Sequence, residues 1–216
     1  MSLDFQMMRE AMVESQLRTT GVDDMRVIRA MATVPREDFV PEERRRVAYA
    51  EMAVPLGEGR RMNLPMATGR MLAELGLRDD DHVLVIGAAT GYSAAICARI
   101  AKSVVALEED AGLAARAREL LAGTDTIEVV EGPLDQGWSD GAPYDAILID
   151  GMVETIPEAV TEQLADGGRL TAAVLENGVS RLFFGRREGG AFGAASFADS
   201  LASTLPGFEQ PKAFTF

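Results

Sequence analysis

The chain has 216 residues, 47% hydrophobic and 25% charged, which suits a globular protein with a sizeable core. A formal net charge of −13 opposes a nucleic-acid partner, because phosphate binding relies on clustered Lys and Arg, and the short groups Arg44-Arg45-Arg46, Arg60-Arg61 and Arg186-Arg187 read as solvated faces in acidic sequence. One cysteine and one histidine exclude an intramolecular disulfide and supply no metal-ligand cluster, and neither a signal-peptide core nor a membrane-length apolar run is present, so a cytoplasmic protein with no metal and no membrane partner is expected.

From 7 to 32 apolar residues recur at helical spacing through Met8, Met12, Leu17, Val22, Val27, Ile28 and Met31, interrupted by Gly21-Val22-Asp23-Asp24. Two short helices are predicted, the second capped near Asp23 or Asp24. Two prolines break Val34-Pro35-Arg36-Glu37-Asp38-Phe39-Val40-Pro41, and 49–59 lacks periodicity, so this stretch is predicted to be loop-rich. A helix is predicted over 65–77, with Gly69 tolerated inside it. After Asp79-Asp80-Asp81 strands are predicted at 82–87, 104–107, 127–130, 145–149 and 169–175, with helices near 91–101, 110–122 and 157–165. Such alternation predicts an α/β fold whose parallel sheet is covered on both faces. Asp166-Gly167-Gly168 and Gly189-Gly190 are predicted turns, Leu182-Phe183-Phe184-Gly185 a strand, and a last strand is placed around 212–216. A cap over 1–78 and a sheet domain over 79–216 are expected to make one compact unit.

The most informative segment is Val83-Leu84-Val85-Ile86 leading into Gly87-Ala88-Ala89-Thr90-Gly91 and, after a helix-compatible stretch, Val104-Val105-Ala106-Leu107-Glu108. A buried strand, a glycine turn and an acid about 20 residues further on form a nucleoside-binding layout, the acid accepting from ribose hydroxyls. The loop departs from G-x-G-x-x-G and resembles the looser G-x-G-x-G of methyltransferases that use S-adenosylmethionine, with Ala89 at the middle glycine. Ala89 replaces glycine without strain only if its φ is negative.

Dispersed segments resemble, in order, the protein-L-isoaspartate O-methyltransferase family over nearly the whole chain. They include Met12-Val13-Glu14-Ser15-Gln16-Leu17-Arg18, Val34 to Pro41 as quoted above, Pro55-Leu56-Gly57-Glu58-Gly59, Ala142-Pro143-Tyr144-Asp145 and Leu164-Ala165-Asp166-Gly167-Gly168-Arg169-Leu170. The resemblance implies a doubly wound, mostly parallel, Rossmann-like methyltransferase sheet with an N-terminal helical cap. It also implies S-adenosylmethionine as cofactor and isoaspartyl residues of damaged proteins as substrate. Cofactor binding then falls to Gly87, Ala88, Ala89, Thr90, Gly91, Glu108, Gly132, Pro133 and Leu134.

The departures bear on the chemistry. The family's T-I-S-x-P, whose serine lies beside the reacting carboxylate, is matched here by Arg61-Met62-Asn63-Leu64-Pro65, which makes Asn63 and Arg61 the catalytic candidates, with Arg60 a second source of an anion contact. Val85 stands at a usual acidic position and Gly132-Pro133 at a usual Gly-Asp pair. Two classes stay open: an isoaspartyl methyltransferase with weakened activity, and a protein of the same fold that binds a nucleoside or a partner, or methylates another acceptor. A hydrolase built on Gly91-Tyr92-Ser93 is excluded because the only histidine, His82, precedes the serine.

Overall fold

The computed structural model describes residues 4–57 and 59–210. The chain opens with α1 (Phe5–Met12), a π-helical turn at Val13–Leu17, a 3₁₀ turn at Arg18–Thr20 and α2 (Met25–Thr33). Asp24 caps α2 as expected, its carboxylate accepting from Arg26 N–H at 2.8 Å. The stretch read as loop-rich holds two further 3₁₀ turns, Arg36–Phe39 and Glu42–Val47, and β1 (Val54–Gly57), which pairs antiparallel with β2 (Arg60–Met62) just beyond it. These strands are too short for their alternation to show in sequence. Helix α3 (Pro65–Leu75) starts on Pro65 and stops at Gly76, whose φ of +59° a side chain would oppose.

Seven strands then make one sheet: β3 (His82–Ile86), β4 (Ser103–Glu108), β5 (Ile127–Glu131), β6 (Tyr144–Val153), β7 (Leu164–Glu176), β8 (Val179–Glu188) and β9 (Ala191–Asp199), in the order β5-β4-β3-β6-β7-β8-β9. The pairings among β3 to β7 are parallel, and β8 and β9 are added antiparallel. Helices α4 (Tyr92–Cys97), α5 (Ala111–Leu121) and α6 (Glu158–Thr161) fill the connections. This is the expected α/β architecture. The chain crosses from the β4 side of β3 to the β6 side, so the carboxyl ends of β3 and β6 border the crevice where open α/β sheets bind ligands.

Alternation along the strands builds two apolar layers. Val83 and Val85 of β3 join the cap residues Met12, Leu17, Met71 and Leu72, while Leu84 and Ile86 pack on the other face with Leu134, Val160 and Leu205. Val85 is thus fully buried in the layer under the cap, which explains why an apolar residue suits that position.

Several details differ from the sequence expectation. Asp166-Gly167-Gly168 is a bulge inside β7 and not a turn before it, the register jumping from Tyr144↔Leu164 to Ala146↔Arg169. A Cβ on Gly168 would fall 2.8 Å from the Ala165 carbonyl, so only glycine lets the backbone pass there. Strand β6 runs on to Val153, α6 is a single turn, and β9 was not foreseen. The strand placed around 212–216 lies outside the described residues.

Candidate functional site

The loop after β3 is set by its backbone. Gly87 and Gly91 have φ of +76° and +97°, and the N–H groups of Gly87 and Ala88 both donate to the Leu107 carbonyl, at 2.9 and 3.0 Å. Ala89 adopts φ +50°, contrary to the negative value that would spare it strain. What holds it there is its own N–H, which donates to Glu108 Oε2 at 2.7 Å. The Thr90 hydroxyl turns to the cap, donating to the Phe39 carbonyl at 2.6 Å.

Glu108 ends β4 and is fully buried. Besides Ala89, its carboxylate accepts from Glu109 N–H at 3.0 Å and Asp110 N–H at 3.1 Å, and it forms an ion pair with Arg60 Nη1. Arg60 Nη2 also lies 3.5 Å from the Gly87 carbonyl. The alternation of β2 decides which arginine arrives: Arg60 and Met62 face inward, and Arg61 is exposed. The structure therefore brings Arg60, and not Arg61, to the acid. Beside Glu108 opens a groove of about 510 Å³ lined by Glu109, Asp110, Glu131, Gly132 and Pro133, with Leu134 buried behind it.

A second polar cluster lies at the end of β6. Asn63 Nδ2 donates to Asp150 Oδ1 at 2.8 Å, Asn63 Oδ1 accepts from Ser203 N–H at 2.7 Å, and the Ser93 hydroxyl donates to Asp150 Oδ2. Burial pushes the Asp150 carboxyl upward, partly offset by the bonds from Ser93 and Asn63. The backbone of Asn63 is gripped in turn by Arg36, which is fully buried, donates from Nη2 to the Asn63 carbonyl and from Nε to the Ala48 carbonyl at 2.6 Å, and lies over the Tyr92 ring at 4.7 Å. Its neighbour Glu37 accepts from Arg9 at 3.0 Å and from the Tyr49 hydroxyl. The proline-flanked segment at 34–41 is thus a brace between cap and crevice.

Asp150, Ser93 and Arg36 were absent from the sequence-based set. Asp150 had a readable signal, since it follows the apolar run Ala146 to Ile149 as Glu108 follows Val104 to Leu107. Arg36 and Ser93 had none, because their partners are distant in sequence. His82 is structural: its ring nitrogens lie 2.7 Å from the Ser103 hydroxyl and 3.0 Å from the Gly141 carbonyl. Among the described residues no group of three or more His, Cys, Asp or Glu side chains is placed to hold a metal ion.

The family model for protein-L-isoaspartate(D-aspartate) O-methyltransferase matches residues 7–196. A protein-L-isoaspartate O-methyltransferase of Methanoculleus marisnigri is 45% identical over 168 residues, covering 77% of this chain and 76% of the relative. One from a Synechococcus species is 38% identical over 212 residues, 97% of this chain and 83% of the relative. A solved protein-L-isoaspartate O-methyltransferase superposes with a TM-score of 0.78 at 23% identity, over 92% of this chain and 66% of that longer one. A Plasmodium falciparum structure, described as such a methyltransferase in complex with S-adenosyl-L-homocysteine, gives 0.77 at 18% identity over 94% of this chain and 99% of its own. These two structural likenesses establish the fold.

Proposed function

This chain belongs to the protein-L-isoaspartate(D-aspartate) O-methyltransferase family, and from that premise we propose that it transfers methyl from S-adenosylmethionine to the free carboxylate of isoaspartyl residues in proteins. The observation that carries the reading is the family match across residues 7–196. The residues present fit the cofactor: a carboxylate ends the second parallel strand at Glu108, a glycine turn lies beside it, and a groove opens at Gly132 and Pro133. A cytoplasmic location belongs to the same reading.

S-adenosylmethionine, when bound, supplies a methyl group activated by a sulfonium. The acceptor needs no general base, since an aspartyl-type carboxylate has a reference pKa of about 3.9 and is already nucleophilic near neutrality. The work left to the protein is to bind, orient and exclude water. In this reading Glu108 accepts from the ribose hydroxyls, and Gly87 allows close backbone approach. Gly132 and Pro133 line the side of the groove that takes the base, with Leu134 buried behind them. Asn63 keeps one amide hydrogen beyond that given to Asp150, enough to hold one oxygen of an acceptor. Arg36 acts through Asn63 by fixing its backbone.

One observation favours a second reading. Asp150, in its ionised form, would oppose an anionic acceptor, so an acceptor that donates a hydrogen bond suits it better. Radiolabelled methyl transfer to an isoaspartyl peptide, with the normal aspartyl peptide as control, separates the two. Base-labile label in the isoaspartyl peptide alone supports the first reading. No label there, with intact cofactor binding, sinks it in favour of another acceptor.

A further inference from the structure

The acid expected to meet the cofactor is already held by four donors, one of them a cation. Its carboxylate offers about four lone-pair sites. Four donors bear on it: Oε1 accepts from the N–H groups of Glu109 and Asp110 and from Arg60 Nη1, while Oε2 accepts from Ala89 N–H. Three of these are backbone groups locked by the glycine loop and the start of α5. Arg60 alone is a side chain that can swing away.

The neighbouring volume is filled too. A Cβ built on Gly87 would lie 2.8 and 2.9 Å from the two methyl carbons of Leu205, so this side chain sits against the glycine a ligand must approach. Leu205 is pinned there, because its N–H donates to the Met152 carbonyl at 2.9 Å while Met152 N–H donates to the Ser203 carbonyl at 2.7 Å. The groove beside Gly132 and Pro133 stays open. The structure therefore leaves one half of a nucleoside site open and fills the other with its own residues.

We propose that Arg60, backed by Leu205, is a built-in competitor of the cofactor, so that binding is an exchange in which ribose hydroxyls replace the guanidinium on Glu108. The inference rests on the reading that S-adenosylmethionine binds between the 87–91 loop and Glu108. The exchange lowers affinity, because a charge-assisted ion pair is broken for each ligand held. It also sets ligand preference. Arg60 adds a positive charge to the site, so its removal would favour S-adenosylmethionine, which carries a sulfonium charge, more than S-adenosylhomocysteine, which does not.

Calorimetric titration of wild type, Arg60→Met and Arg60→Lys with both ligands tests this. The expected result is at least tenfold tighter S-adenosylhomocysteine binding in Arg60→Met, a larger gain for S-adenosylmethionine, and an intermediate Arg60→Lys. Equal or weaker binding by Arg60→Met, with wild type still binding, overturns the proposal and leaves the cofactor reading standing. No binding by any of the three at millimolar ligand overturns the cofactor reading and the proposal with it. Should Arg60→Met not fold, hydrogen exchange on wild type decides: saturating S-adenosylhomocysteine should speed exchange at the Leu205 amide by tenfold or more. Unchanged protection there overturns the plug.

Discussion

Replacing Glu108 by alanine should be among the most damaging single changes in the crevice. The carboxylate is fully buried, and its loss leaves Arg60, only 6% exposed, with an unpaired charge, and the N–H groups of Ala89, Glu109 and Asp110 without their acceptor. Removing one partner of a buried ion pair costs about 3–5 kcal/mol, because the other charge stays desolvated. Water entering from the adjoining groove relieves part of the loss at the N–H groups, so a total of about 4 kcal/mol is expected. At about 2–4 °C per kcal/mol for a domain of this size, the melting temperature should drop by about 8–16 °C. Arg60→Met should cost less, about 1–3 kcal/mol, since the carboxylate keeps three backbone donors. In the double variant neither charge is buried alone, so the two costs should overlap by about 2 kcal/mol. Urea unfolding of the four proteins measures this directly, with constant m-values as the check on two-state behaviour. A Glu108→Ala loss below about 1 kcal/mol, or single effects that add to within about 0.5 kcal/mol in the double variant, would refute the reasoning.

Three further outcomes are expected. Ala89→Gly should stabilise by about 0.5–1 kcal/mol, since relief of a left-handed alanine outweighs the extra chain entropy of glycine, and a net loss in urea unfolding would show that the φ of +50° carries no strain. Because burial raises the Asp150 carboxyl, its folded-state contribution is complete below the unfolded pKa of about 3.9 and fades as pH rises through the folded value. Asp150→Asn, neutral throughout, should therefore gain on wild type in thermal melts from about pH 4 toward pH 7, and a gap independent of pH counts against this. Asn63→Ala leaves Ser203 N–H without an acceptor and Asp150 short of a donor, and should cost about 1–3 kcal/mol in urea unfolding, whereas a loss under about 0.5 kcal/mol would mean water replaces the amide at both ends.

The parts of the fold legible in sequence were those whose signal is local. Val83 to Ile86 and Val104 to Leu107 are continuous apolar runs because both faces of a parallel sheet are covered, and Asp24 caps α2 through a bond spanning two residues. What escaped depends on contacts between distant segments. The β1–β2 pair was hidden because three- and four-residue strands show no alternation, yet that pair alone decides that Arg60 faces inward and Arg61 outward. Asp166-Gly167-Gly168 has turn composition, but pairing with β6 on both sides of it converts the turn into a bulge.

The same division explains the site. Glu108 could be placed from spacing alone, since any acid ending the second parallel strand of such a sheet points at the crevice. Its state could not, because that depends on residue 60 and on a segment nearly a hundred residues downstream. Arg60 was legible only as one of two arginines that could meet an anion, its pairing with the chain's own acid being hidden, and Leu205 stands in a stretch before Pro206 that carries no signal. Folding brings them to the same glycine, where one neutralises the acid and the other covers the turn. Without Arg60 that acid would be a fully buried charge held only by backbone N–H groups, and a cation from the chain removes that cost. The consequence reaches function, because each contact that stabilises the free crevice is one the cofactor must displace. Stability of the empty site and affinity for the cofactor are thereby set in opposition at Arg60: the substitution that lowers the melting temperature of the free protein should be the one that tightens cofactor binding.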